Sequence, residues 1–367
     1  MIPESNMTAI PRSRMTGFSL VELMVAMTLS LILMAGALSI LYSTKLTSSE
    51  NERVARIQEA GRTALELIRQ DARASGYAGC ARPHTASYGP IYNTTGLNSN
   101  TLLWDFSKPV YGFEASATAW TPALDPAIPA SPVPASGSDV LVLRNARAGS
   151  PVFRTNAATF GSGAIAVDED PNIPLTTPTP MIISDCKTAE VFIATSINTA
   201  GATATIAHAG GGNPAGNNSG SLTNSYQIGA LLQPVQTVIY YVASCTAVGS
   251  PCTAITPPAL WQIVGTDQPG GSTPQELIQG VEAMQLKYGV DTDGDFLANT
   301  YVTADAVTDW TTVVSINMAI LVRSIDETGV EKDTKTYSLL GTAYGPFNDR
   351  RSRSVYTTTI SLRNDTT

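Results

Sequence analysis

The stretch GFSLVELMVAMTLS, residues 17–30, decides the architecture. A small residue, Gly17, is followed by an aromatic, Phe18, which opens a long apolar run. Glu22 is the one acid inside it, and no further charge appears until Lys45. At about 1.5 Å per residue, Phe18 to Thr44 is long enough to cross the ~30 Å hydrocarbon core of a bilayer. A carboxylate in such a span is costly and is seldom kept without a partner. A secretory signal peptide would show a shorter apolar core, about 7–15 residues, ending in a small-x-small cleavage site. Here a polar leader comes first and the run is too long.

The order Gly17-Phe18-Ser19-Leu20-Val21-Glu22 resembles the class III signal of type IV prepilins and type II secretion pseudopilins. That resemblance implies cleavage between Gly17 and Phe18 by a membrane prepilin peptidase, followed by N-methylation of Phe18. It also implies that Glu22 pairs with the terminal amine of a neighbouring subunit during assembly. Arg12 and Arg14 in the leader agree with a cytoplasmic amino terminus, but Lys45, Arg53 and Arg56 on the far side offset them. The orientation therefore rests on the resemblance.

Loss of residues 1–17 removes Arg12, Arg14 and Glu4, leaving 20 basic and 29 acidic residues from 22 and 30. That acidic balance argues against a sequence-independent nucleic-acid surface, which needs clustered Lys and Arg. Four cysteines, Cys80, Cys186, Cys245 and Cys252, lie beyond the apolar run and none forms a C-x-x-C pair, so they read as disulfides. Of three pairings, Cys80–Cys186 with Cys245–Cys252 is favoured, since Gly249 and Pro251 suit a reversal between the last two.

After Thr44 the helix is expected to continue. Val54, Ile57, Gly61, Ala64, Leu65, Ile68 and Ala72 recur at spacings of three and four, with charged residues mainly opposite them. No proline interrupts Phe18–Ser75, and Gly76 supplies a left-handed end. Residues 77–138 look loop-rich, and 121–137 carry too many prolines for a central strand. Residues 139–144, 190–195, 236–243 and 284–290 read as strands, and so does 356–363. Val314 to Val322 alternate as a half-buried strand, with Ser315, Asn317 and Arg323 facing away. Thr273-Pro274-Gln275-Glu276 has capping-box spacing and predicts a second helix. Residues 207–221 read as a mobile Gly/Asn loop.

The boundaries are a leader (1–17), a transmembrane half-helix (18–42), an amphipathic half-helix (43–75) and a head (76–367). The fold class is α+β and pilin-like, a long helix packed on an antiparallel sheet with long loops. The segments 276–310, 313–324 and 349–364, with GYAGCAR (76–82) and ISDC (183–186), resemble the PilW-type minor pilins. The resemblance implies a structural protein of pilus assembly and priming. It is held first in the inner membrane with its head periplasmic, and is later displayed on the pilus at the cell surface. Its implied partners are major and minor pilins, the prepilin peptidase and inner-membrane lipid. A type II secretion pseudopilin and a tip adhesin are the alternatives.

Asp291, Asp293 and Asp295 stand at alternate positions, as hard-cation loops require, with Asn299 and the Leu297 carbonyl as further calcium ligands. Phe296 replaces the hinge glycine of an EF-hand, and Val302 its bidentate glutamate. No other cofactor is indicated. Arg350, Arg351 and Arg353 read as a solvated edge or a subunit contact. Trp104, Trp120, Trp261 and Trp310 read as core or interface. Only two histidines exist, and there is no nucleophile elbow or phosphate loop, so neither an enzyme nor a small-molecule substrate is expected.

Overall fold

With no proline between Phe18 and Ser75, the backbone ladder runs unbroken and forms α1, Leu20–Ala74, of 55 residues. The computed structural model describes residues 17–77, 79, 92–93, 102–128, 131–147, 149–150, 152–168, 177–200, 203–211, 217, 219–246, 249, 251–252, 254–265, 273–327 and 331–362. Its contacts divide the chain into a unit ending at Arg53 and a unit beginning at Val54.

In the first unit, residues 17–48 are all exposed, and the helix is long and apolar enough to cross a membrane. Several of its hydroxyls are satisfied within the helix. Thr28 Oγ1 donates to the Val25 carbonyl (2.9 Å), Ser30 Oγ to that of Ala26 (2.7 Å), and Thr44 Oγ1 to that of Ile40 (2.8 Å). Such back-bonding lets polar residues sit in an apolar run without stray donors.

The second unit is built around the stripe Ile57, Gly61, Ala64, Leu65, Ile68 and Ala72, all buried. These are the residues the three-and-four spacing selected, apart from Val54, which is exposed. The helix stops where expected, with Gly76 at φ 74° and its N–H donating to the Arg144 carbonyl at 3.0 Å. Strands β1 (Val110–Ala115), β2 (Val140–Ala146), β3 (Thr179–Ser184), β4 (Ala189–Ala194), β5 (Leu231–Ala243), β6 (Ala259–Gly265) and β7 (Gln275–Gln279) belong to one large sheet. Its centre is β5. Residues 231–234 pair with β3, 235–240 with β2, and 237–243 with β6, all antiparallel. The short strand Tyr92–Asn93 adds parallel to β4.

A second sheet has the order β9-β8-β10-β13, all antiparallel: β8 (Val281–Val290), β9 (Thr300–Val302), β10 (Val313–Arg323) and β13 (Arg353–Ser361). The hairpin β11 (Tyr337–Leu339) and β12 (Thr342–Tyr344) lies between β10 and β13 in sequence.

Both faces of β5 are covered. Val238, Tyr240 and Val242 join the cluster that holds the helix stripe, with Met284, Leu286, Met318 and Ile320 of the second sheet. Ile239, Tyr241 and Ala243 face a separate cluster with Trp104, Phe106, Val142 and Trp261. Alternation with both sides apolar explains why this strand reads as a near-continuous hydrophobic run. A third cluster gathers Phe153, Met181, Ile183, Phe192 and Leu232. Each of Ile57, Leu65 and Ile68 contributes about 1.5–3 kcal/mol through burial.

The sheets are also stitched by polar groups. The Asp139 N–H donates to the Met284 carbonyl (2.9 Å), and its carboxylate accepts the N–H groups of Ala115 and Leu286, each at 2.8 Å. Burial first, then the charge of Glu114, push this carboxyl up to about 8, against the opposing pull of those N–H bonds.

The structure corrects several expectations. Residues 273–282 form no helix: Gln275–Gln279 is strand β7, paired with Ala259–Gln262. Leu277, Ile278 and Val281 fit either period, and a waiting strand edge outweighs a one-turn capping signal. Gly280 then turns the chain into β8 at φ 89°, and a Cβ there would lie 2.7 Å from the Arg323 carbonyl oxygen. Strand β10 is not half-buried. Ser315 is buried, and Ala319 and Leu321 pack with Leu339 and Val355 in a cluster of their own. The supposedly loop-rich 77–138 contains β1 and a buried turn, Leu102–Trp104. Within 207–221, Asn217 is pinned: its side chain accepts the Ile193 N–H (2.8 Å) and donates to the Ile193 carbonyl (2.9 Å).

The helix approaches the second sheet closely at Gly61, where a Cβ would lie 2.5 Å from the ring of Tyr356. Gly61→Leu is therefore expected to lower stability by about 1–3 kcal/mol through overpacking. Chemical denaturation of the detergent-solubilised chain measures it, and a midpoint equal to that of the unsubstituted chain would refute the contact.

Candidate functional site

Three of the residues that the first stretch singled out lie at the start of α1. Gly17, Phe18 and Ser19 precede the helix, and Phe18 is 84% exposed. Glu22 occupies the first turn of α1, where a negative charge meets the positive end of the helix dipole. Its carboxylate accepts the Ser19 N–H at 3.4 Å, a long and exposed bond. The sequence Ser19-Leu20-Val21-Glu22 thus has half of a capping box, in which the acid reaches back to the N-cap N–H. The exposed apolar surface around it includes Val21, Val25 and Leu29. Residues 1–16, with Arg12 and Arg14, lie outside the described residues.

The acidic loop is brought together as its spacing suggested. One carboxylate oxygen from each of Asp291, Asp293 and Asp295 lies within 4.8 Å of the others. The loop also holds itself by its own hydrogen bonds. Asp291 accepts the N–H groups of Gly294 (2.7 Å), Phe296 (2.8 Å) and Asp293 (3.1 Å). Burial acts to raise the Asp291 pKa, but these three donors outweigh it and hold the carboxyl below its usual value. Asn299 is turned to other work. Its Oδ1 accepts from the Thr292 N–H (2.7 Å) and hydroxyl (3.0 Å), and its Nδ2 donates to Asp293 at 3.2 Å. Leu297 is exposed, and its N–H donates to Asp295 Oδ1 (2.8 Å). Phe296, in the hinge-glycine position, takes a left-handed φ of 63°. The repulsion expected among three neighbouring acids is thus relieved in part by backbone donors.

Cys245 and Cys252 are joined by a disulfide that packs, buried, in the cluster of Trp104 and Trp261. By chain entropy, closing this short loop is worth about 2.5 kcal/mol. Cys186 is also disulfide-bonded. Cys80 lies outside the described residues.

The basic cluster is solvated only in part: Arg350 is exposed and Arg351 half-buried. Arg353 is a buried hub rather than a solvated edge. Its guanidinium meets Glu282 at 2.7 Å, Asp333 at 3.0 Å and Asp349 at 2.7 Å, and it stacks on Phe347 with 3.8 Å to the ring centroid. Glu282 is shared with Arg323 at 3.0 Å. The bond from Arg353 is the main cause that brings Asp349 down to about 2. Of the tryptophans, Trp104, Trp261 and Trp310 are buried. Trp120 is half-buried and donates to the Ser138 carbonyl at 3.0 Å.

Residue patterns alone did not select Asp71 and Tyr240. The Tyr240 hydroxyl donates to Asp71 at 2.6 Å, Asn145 donates to the same carboxylate at 3.1 Å, and Gln262 donates to the Tyr240 hydroxyl at 2.9 Å. Burial raises the Asp71 pKa against those bonds. The available signal was an acid three residues beyond Ile68, on the edge of an otherwise apolar stripe.

Comparison with known families fits this arrangement. A family model described as type IV pilus-assembly protein W matches residues 239–364, and one described as the prokaryotic N-terminal methylation motif matches residues 12–38. Together the two matches support a type IV pilus minor pilin. The first match begins inside β5 of the pilin and takes in the whole of its second sheet, with Arg353 and the acidic loop. The second includes Gly17, Phe18 and Glu22. Searches of curated proteins and of solved structures returned no match.

Arg353→Met leaves Glu282, Asp333 and Asp349 without their shared cation, and is expected to destabilise the pilin by about 3–5 kcal/mol. A depressed carboxylate adds stability above its unfolded pKa of about 3.9, and loses it as pH falls through its folded value. The unsubstituted pilin should therefore lose stability from Asp349 between about pH 4 and 2, while the Met variant should show a shallower dependence. Denaturation midpoints across that range test both statements.

Proposed function

We propose that this pilin is a minor subunit that takes part in assembly and priming of a type IV pilus. Prepilin peptidase removes residues 1–17 by cutting after Gly17, and Phe18 becomes a methylated amino terminus. Before assembly, residues 18–42 hold the chain in the inner membrane, with the amino terminus cytoplasmic and the head periplasmic. During assembly the apolar half-helix leaves lipid for the flanks of neighbouring pilin helices, and the chain moves to the pilus and cell surface.

The observation that carries this reading is the contrast along α1. Its second half buries a continuous stripe, whereas residues 17–48 bury nothing within their own chain. An apolar rod left wholly uncovered needs a bilayer or other rods around it. Glu22 supports the second environment. In a low-dielectric bundle an unpaired carboxylate is expensive, and an adjacent terminal amine would remove that cost. Among the described residues its one bond is to the Ser19 N–H at 3.4 Å, which supports that pairing.

Glu22→Ala is expected to leave the head folded and the leader removed, while recovery in sheared filaments falls about tenfold, the effect of ~1.4 kcal/mol of lost pairing. Quantitative immunoblotting of sheared and cellular fractions decides it, and equal recovery would rule the pairing out. Gly17→Glu should block cleavage, so that mass spectrometry finds the leader still attached. A chain beginning at Phe18 in that variant would contradict the assignment of the cut.

A further inference from the structure

A strand at the margin of a sheet offers a row of unmet N–H and C=O groups, and proteins usually protect it. They do so by shortness, by Lys or Pro, by a bulge, or by covering it. Most margins of the described sheets follow that rule. Strand β9 has three residues, and Trp120–Thr121 has two. Strand β7 has five, contains Glu276, and pairs through a register shift.

Strand β13 does not follow it. It is the longest margin strand among the described residues, nine residues in unbroken register with β10. From Ser354 to Leu362 it carries no charge and no proline, and its middle is Thr357-Thr358-Thr359.

The ladder shows which groups face away from β10. The Leu362 N–H donates to the Val314 carbonyl, and the Ser324 N–H to the Ser352 carbonyl, each at 2.9 Å. In an antiparallel pair such bonds recur at every second residue. The even-numbered positions 354, 356, 358 and 360 therefore face β10. Val355, Thr357, Thr359 and Ser361 point their N–H and C=O groups away from it. Among the described residues no strand pairs with that side. Thr357, Thr359 and Ser361 are exposed.

We propose that the outer edge of β13 docks an extended strand supplied by a different subunit of the assembly, which adds to the second sheet as a further strand. The proposal rests on the pilin reading for the source of that strand. The chemistry of the edge defines the occupant: an extended segment matching residues 355–361, uncharged along its ladder and rich in β-branched or hydroxyl side chains. Backbone bonds supply affinity and the Thr/Ser row supplies cross-strand complementarity. Residues 239–364, the segment matched by the family model, include this whole strand.

The test uses proline as a selective block. At position 357 or 359 it removes only an outward N–H, so the pairing with β10 is kept. In the full chain expressed in its host, Thr357→Pro and Thr359→Pro are expected to be processed to Phe18 normally. Their recovery with filament components should fall about tenfold, while Thr357→Val, which keeps the N–H, should be recovered as the unsubstituted chain is. Recovery of both proline variants at the unsubstituted level would overturn the proposal.

Amide hydrogen exchange guards against a folding artefact, because it needs no substitution. In the purified chain the N–H groups of Thr357 and Thr359 should exchange about 100-fold faster than those of Tyr356 and Thr358. Equal protection would mean the edge is already covered and would overturn the proposal. Self-association of the purified chain that Thr359→Pro abolishes would replace the foreign strand by a second copy. If the unsubstituted chain itself keeps its leader and never accompanies filament components, the pilin reading fails, and that result is distinct from any outcome at β13.

Discussion

The burial of one helix stripe against strands from both large sheets is the interaction on which the head depends. Ile57, Ala64, Leu65, Ile68 and Ala72 share a single cluster with Val238 and Tyr240 of one sheet and Met318 and Ile320 of the other. Remove the helix and each sheet exposes an apolar face. The close approach of Gly61 to Tyr356 and the Asp71–Tyr240 bond fix where the helix lies along that cluster. Packing gives the contact its energy, and these two local features give it its register.

The two halves of α1 obey the same helical geometry and opposite solvation rules. Beyond Val54 the apolar residues form a stripe, and the charged ones are confined to the remaining surface. Before Thr44 they go all the way round, which is the pattern of a helix that finds its environment outside its own chain. Glu22 is the exception within the apolar part. It sits in the first turn of α1, where its carboxylate accepts the Ser19 N–H at 3.4 Å.

Much of this was legible in residue order. The unbroken helix, its glycine end at Gly76, the strands around 139–144, 236–243 and 284–290, and the Cys245–Cys252 bridge follow from periodicity, turn residues and spacing. What failed did so where tertiary contact outweighs local preference. Residues 275–279 carry a helix-start signal, yet lie beside an edge of β6 that needs a partner. The covering of β10 by Leu339 and Val355 depends on a hairpin far along the chain. Arg353 looked like a surface charge because its three acids come from residues 282, 333 and 349, which no short window joins. The methylation-motif segment with Gly17, Phe18 and Glu22 was readable at once, because these residues lie within six consecutive positions. The acidic loop was readable as a cluster, but not the inward turn of Asp291 onto its own backbone.

A helix seated along sixteen residues, from Ile57 to Ala72, has a mechanical consequence. A pull along its axis must slide the whole row past the strands at once, so resistance is shared among many small contacts. Peeling would break them one after another at far lower force. The Tyr240–Asp71 hydrogen bond, near the end of that row, adds one directional contact to it. Under a pull directed along the helix axis, the head would yield only when its core does.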